Sequence, residues 1–197
     1  MIRTFRSILL ALTVAVLLIP VLAAVQSHSS PVSGPLVLLK TTKGPILIKL
    51  YPKDAPITCA NFIGLVKQKF YNGLKFHRVT DLAQGGLAHI AQIGDPRSRY
   101  LPADDPSLGM NGSAHTIKGE FVANSAGNPL LHNPGAVAMA RLNGQPDSAT
   151  SQFYICTTAA HELDGQYAVF GFVIKGLDNA KRLVVGDRII TATVIRR

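Results

Sequence analysis

The stretch that decides the fold is Leu36-Val37-Leu38-Leu39-Lys40-Thr41-Thr42-Lys43-Gly44-Pro45-Ile46-Leu47-Ile48-Lys49-Leu50, residues 36–50. Two runs of aliphatic residues flank a Thr-Lys-Gly-Pro turn, and that pattern predicts a β-hairpin. Asp54-Ala55-Pro56 then reads as a helix start. It offers a carboxylate to cap free N–H groups and a proline whose missing N–H costs nothing at that position. Phe62, Ile63, Val66 and Phe70 recur at helical spacing through residues 57–70, and Asn72-Gly73 ends the run. Residues 74–79 resume as a strand. Short apolar strands are also predicted at residues 136–140, 152–156, 168–174 and 189–194, with a short helix at 177–184. Residues 95–113 are rich in Pro, Asp, Gly and Ser and read as a long surface loop. Many short strands with two helices predict a mainly β, closed or sandwich-like architecture, not alternating βαβ units.

The chain has 197 residues, 47% hydrophobic and 16% charged. That is enough for one domain with a sizeable core, and too apolar for a disordered chain. Its 17 Gly and 12 Pro follow no repeat, which excludes a collagen-like rod. Two cysteines exclude a disulfide scaffold and a four-thiolate zinc site. Cys59 and Cys156 read as small buried residues, with a disulfide between them left open. The formal charge of +9 becomes +7 once Arg3 and Arg6 are set aside as part of a leader. The basic residues are scattered and not interleaved with aromatics, so nucleic acid is not an expected partner.

Arg3 and Arg6 precede residues 8–25, which are apolar apart from Thr13 and Pro20. A positive flank before a hydrophobic run is the pattern of a secretory signal or an N-terminal membrane anchor. The expected organisation is a signal or anchor over residues 1–25, a linker over 26–34 and a globular domain over 35–197. The protein is then exported, periplasmic or extracellular, or held on a membrane facing outside the cytoplasm. Cleavage of the leader is left open.

The six histidines show no metal-ligand spacing, and there is no Gly-x-Ser-x-Gly elbow or phosphate loop. No cofactor and no metal are expected.

One ordered set of segments resembles the cyclophilin family of peptidyl-prolyl cis-trans isomerases. It comprises Ala55-Pro56 to Asn61-Phe62, Phe76-His77-Arg78-Val79, Gln92-Ile93-Gly94-Asp95-Pro96 and His115-Thr116-Ile117 to Glu120-Phe121. Met139-Ala140-Arg141, Ser151-Gln152-Phe153-Tyr154-Ile155 and Leu163-Asp164-Gly165 to Val169-Phe170-Gly171 continue it. The resemblance implies a closed eight-stranded antiparallel β-barrel capped by two α-helices. It also implies an isomerase of X-Pro bonds in extracytoplasmic polypeptides that assists their folding. The alternative is a peptide-binding, chaperone-like cyclophilin with reduced or lost isomerase activity. Proline-containing polypeptides are the implied partners, and the chain is expected to be monomeric.

The implied chemistry is a rotation, not a bond cleavage. The amide's partial double bond sets a barrier of roughly 18–20 kcal/mol. Twisting it destroys resonance and leaves a lone pair on the prolyl nitrogen. A fixed donor beside that nitrogen stabilises the twisted state more than the planar one. By position in the family's pattern Arg78 is that donor, and Gln152 binds substrate backbone or orients the arginine. Gln92 supports the guanidinium. Met139, Ala140, Tyr154 and Leu163 line the proline slot, with Tyr167 at its edge. His89 stands where the family carries a pocket-wall phenylalanine, and Arg141 replaces an asparagine that follows Met-Ala. Thirteen residues separate Arg78 from Gln92, about six more than the family's pattern, so residues 80–88 read as an enlarged loop. Its Gln84-Gly85-Gly86 imitates the family's Gln-Gly-Gly. Gln92 is preferred because Gly94-Asp95-Pro96 follows it at once.

Overall fold

The computed structural model describes residues 34–80 and 89–195. The leader over residues 1–25, almost all of the linker and the Gln84-Gly85-Gly86 loop lie outside the described residues.

The hairpin forms as the sequence predicts, β1 (Leu36–Thr41) pairing antiparallel with β2 (Gly44–Leu50). Thr42 and Lys43 make the turn, and the Thr41 hydroxyl donates to the Gly44 carbonyl at 2.7 Å. Helix α1 (Pro56–Lys67) follows, then β3 (Arg78–Val79), β4 (Ile90–Ile93), β5 (Ala136–Met139) and β6 (Phe153–Cys156). The chain ends in β7 (Val169–Lys175), α2 (Leu177–Lys181) and β8 (Ile189–Ile195). β4 was not among the strands read from the sequence. Its four residues follow directly on the stretch read as an enlarged loop, and Gln92 interrupts their apolar run.

The start of α1 needs a correction. The Asp54 side chain does not cap it; the N-cap residue is Ala55, with no side-chain bond. The capping carboxylate is that of Glu120, which accepts from the N–H groups of Ile57 (3.0 Å) and Thr58 (2.8 Å) and from the Thr58 hydroxyl (2.7 Å). A carboxylate at a helix N-terminus meets both unsatisfied donors and the positive end of the dipole. Glu120 is itself buried and its backbone carbonyl is held by Asn128, so it is delivered rigidly.

The eight strands form one sheet in the order β3-β4-β6-β5-β7-β2-β1-β8, every pair antiparallel. The expected closed barrel is replaced by an open, curled half-barrel. Residues 73–76 do approach 186–189, through bonds such as Phe76 N–H to Asp187 O at 2.8 Å. From His77 onward, however, the same segment bonds to β4, His77 N–H donating to Gln92 O at 3.2 Å. One segment that changes partner half-way cannot carry a ladder between β3 and β8, and only the bridge Lys75–Arg188 remains.

Strand alternation sorts the core into two clusters. The inner one holds Val137, Met139, Phe153, Ile155, Ala91 and Ile93 against α1. Phe62 of α1 is its hub, with ring centroids 5.1 Å from Phe170, 5.2 Å from Phe153 and 5.3 Å from Tyr71. The opposite face of the same strands presents Ile90, Tyr154, Cys156, Ala136 and Ala138. Both cysteines are free and buried, one in each cluster.

Candidate active site

The functional side chains are gathered by strand register. Cα partners run in one transverse row: Arg78 opposite Gln92, Gln92 opposite Tyr154, Tyr154 opposite Ala138, and Ala138 opposite Val169. Directly opposed residues of antiparallel strands share a face, so the first two of these four pairings place an arginine, a glutamine and an aromatic ring side by side. A slip of one residue would send the whole set into the core.

The polar end of the row is a hydrogen-bonded series. Arg78 Nη1 donates to Gln92 Oε1 at 3.4 Å, and Gln92 Nε2 donates to Gln152 Oε1 at 2.9 Å. Gln152 Nε2 in turn donates to the carbonyls of Gly109 (2.8 Å) and Asn111 (2.7 Å). Those carbonyls belong to the stretch read as a long surface loop, and a buried carboxylate holds it firm. Asp95 is fully buried and accepts from the N–H groups of Arg97 (2.9 Å), Gly109 (2.9 Å) and Asn111 (3.2 Å). Burial raises the Asp95 carboxyl, but the Arg97 guanidinium and these N–H groups outweigh it and hold it below the usual range.

The apolar end of the row is the second cluster. Ile90, Ala138 and Tyr154 are joined there by the partly buried Ala140, Leu163 and Tyr167. Tyr154 is held from behind: its ring stacks on His132 at 6.0 Å, and its hydroxyl meets His132 Nε2 at 3.0 Å. His132 Nδ1 meets Asp164 Oδ1 at 2.9 Å. A carboxylate only accepts, so Nδ1 carries the proton and Nε2 accepts from the phenol. Burial pushes the His132 imidazole below its ordinary range and the Tyr154 phenol well above its own.

The sequence profile described as "Cyclophilin type peptidyl-prolyl cis-trans isomerase/CLD" matches residues 36–195. The chain belongs to this family. It is similar to a peptidyl-prolyl cis-trans isomerase of Helicobacter pylori, 36% identical over 151 residues, which covers 76% of this chain and 80% of that one. A Synechocystis protein provisionally named a thylakoid lumen peptidyl-prolyl cis-trans isomerase is 34% identical over 176 residues. The match covers 81% of this chain and 46% of that longer protein. The fold resembles the crystal structure of a Cryptosporidium parvum cyclophilin in the presence of the dipeptide Ala-Pro. That match has a TM-score of 0.64 and 20% identity, over 82% of this chain and 99% of the other. This cyclophilin is an isomerase of peptidyl-prolyl bonds.

In this cyclophilin the structure brings together most of the residues singled out in the sequence. Arg78, Gln92 and Gln152 form the polar series, while Tyr154, Ala140, Leu163 and Tyr167 form the apolar patch. Arg141 flanks the patch, its guanidinium 4.6 Å from the Tyr167 ring centroid. Two residues fall elsewhere. Met139 lies in the inner cluster, because alternation along β5 turns it away from Ala138 and Ala140. His89 turns its ring to the Thr157 hydroxyl at 2.5 Å and is not part of the patch, which takes Ile90 instead. Sequence reading missed Ile90, although it lies two residues from Gln92 and so shares its face. It also missed His132, which lacks any local motif.

Proposed function

We propose that this isomerase acts on X-Pro bonds of extracytoplasmic polypeptides, with Arg78 as the donor to the prolyl nitrogen. The proline ring rests against Tyr154, Ile90 and Leu163, and Tyr167 closes the edge. Arginine suits the role because it stays charged and its planar fork can be held by neighbours. Its supporting series ends on two backbone carbonyls, so little reorganisation accompanies the twist. The observation that carries this reading is the hydrogen-bonded run from Arg78 through Gln92 to Gln152 beside the apolar patch. Arg78→Ala is expected to lower kcat/KM by about 100-fold, the scale of a lost transition-state donor, with the fold intact by circular dichroism. Unchanged turnover would remove Arg78 from the mechanism.

A second reading, peptide binding with slowed turnover, draws on His89, whose ring is tied to Thr157 instead of standing in the apolar wall. An exchange-NMR measurement on a proline peptide separates the two: tight binding with no acceleration favours the second.

The setting outside the cytoplasm is supported by Arg3 and Arg6 ahead of the apolar run 8–25 and by the name of the Synechocystis relative. Among the described residues no helix is long and apolar enough to cross a membrane, so attachment would rest on the leader.

A further inference from the structure

The groove beside the apolar patch carries opposite charges at its two ends. One pocket, of about 250 Å³, is lined by Arg141, Ala140, Leu142, Thr116, Gln152 and neighbouring residues, with Arg141 the one charged group on its described wall. An adjoining pocket of about 380 Å³ shares Gln92, Gly109 and Met110 with it, and has Asp104 and Asp105 on its wall beside Arg78.

Arg141 is held unusually firmly for a residue near the surface. Its guanidinium lies 4.6 Å from the Tyr167 ring centroid and 5.3 Å from that of Phe121. Its Nε donates to Gln166 O at 3.1 Å and its Nη1 to Leu142 O at 3.0 Å. Two rings and two carbonyls fix the plane, so the side-chain entropy that weakens most surface ion pairs is already spent. Among the described residues Arg141 pairs with no carboxylate, and its Nη2 makes no hydrogen bond. A preorganised cation with free donors, facing an otherwise uncharged pocket, is a carboxylate receptor.

We propose that Arg141 makes this isomerase selective for polypeptides bearing an acidic side chain within two residues of the proline. The inference rests on the placement of the proline against Tyr154 and Tyr167 proposed above. The Tyr167 ring, which contacts both Tyr154 (centroids 6.1 Å apart) and the Arg141 guanidinium (4.6 Å), sets the reach. One or two extended residues, at about 3.3–3.6 Å each, carry a side chain that far. In the adjoining pocket Asp104 and Asp105 offset the attraction of Arg78, so the carboxylate is favoured beside Arg141.

The test uses capped heptapeptides Gly-Ala-Ala-Pro-Ala-Ala-Gly with Glu, Lys or Ala at each of the two positions on either side of the proline. Exchange NMR reads kcat/KM and chemical-shift titration reads Kd. At one of these positions glutamate is expected to exceed alanine by about fivefold and lysine to fall below it, the range of a favourable exposed charge pair. The preference should shrink in 1 M salt, where the screening length is about 3 Å. Arg141→Gln should bring the glutamate-to-lysine ratio to about one, and Arg141→Glu should invert it. Because each ratio is taken within one protein, a general loss of turnover does not obscure it. Equal rates for glutamate and lysine at every position, or an order unchanged in Arg141→Glu, would overturn the proposal. If the alanine peptide itself is not accelerated, the isomerase reading falls, and the Kd ratio still decides the role of Arg141.

Discussion

Tyr154 shows how a single hydroxyl in an apolar wall is accommodated. A phenol buried at 3% exposure would cost stability without an acceptor, and His132 Nε2 supplies one because Asp164 takes the proton side of the ring. Tyr154→Phe keeps the ring but strands the buried nitrogen, so it is expected to cost about 1–3 kcal/mol in urea unfolding at pH 7.5. The same arrangement sets a pH dependence. The folded His132 resists protonation, as does the half-buried His77, while the unfolded chain binds protons near the ordinary histidine value of 6.5. The unfolded state therefore holds more protons below that pH, and stability is full above about pH 6.5 and declines on acidification. Unfolding free energies measured from pH 8 to 5 check this. A curve that stays flat to pH 5 contradicts it, and His132→Gln should make the decline shallower.

Elements meet the site at Gly94, where the chain leaves β4 and passes close against Ser151 and Gln152, which lead into β6. Its φ is +121°, and a Cβ there would lie 2.5 Å from both Gln152 Cα and Ser151 O. Those neighbours are backbone and cannot swing aside. The Ser151 hydroxyl fastens the crossing by donating to Gly94 O at 2.8 Å. Gly94→Ala is thus expected to cost more than about 2 kcal/mol, combining positive-φ strain with overpacking. It should also displace Gln152 and lower kcat/KM in whatever fraction stays folded. Native-like stability together with wild-type turnover would show that the crossing is looser than described. The Gly-Asp-Pro segment therefore does two jobs: its glycine permits the close approach, and its aspartate anchors the loop whose carbonyls hold Gln152.

For the whole molecule, residues 34–195 carry both hydrophobic clusters and every site residue named above. A chain beginning at Gly34 is expected to fold and to keep the isomerase activity of the full chain within about twofold, since a domain with its own core folds alone. The leader expected over residues 1–25 calls for a separate test. Fused to a reporter that is active only outside the cytoplasm, residues 1–34 should direct export, and Arg3→Glu with Arg6→Glu should impair it. An inactive reporter would confine the enzyme to the cytoplasm. The buried thiols belong to this scale too. Burial pushes Cys59 and Cys156 up to about 12, which keeps both as inert thiols.

By itself the sequence determined the hairpin, the apolar face of α1, the short apolar strands β5 to β8 and the family, because turn chemistry, periodicity and apolar runs act over a few neighbouring residues. The aligned motifs also led to Arg78, Gln92 and Gln152. Only the tertiary structure decided that Glu120, 62 residues from Thr58, caps α1 in place of Asp54. The same holds for His132 behind Tyr154, the inward turn of Met139, and the partner change at His77 that leaves the sheet open. Each of these depends on which buried donor finds which acceptor once distant segments share a small volume, and no local pattern in the chain records that choice.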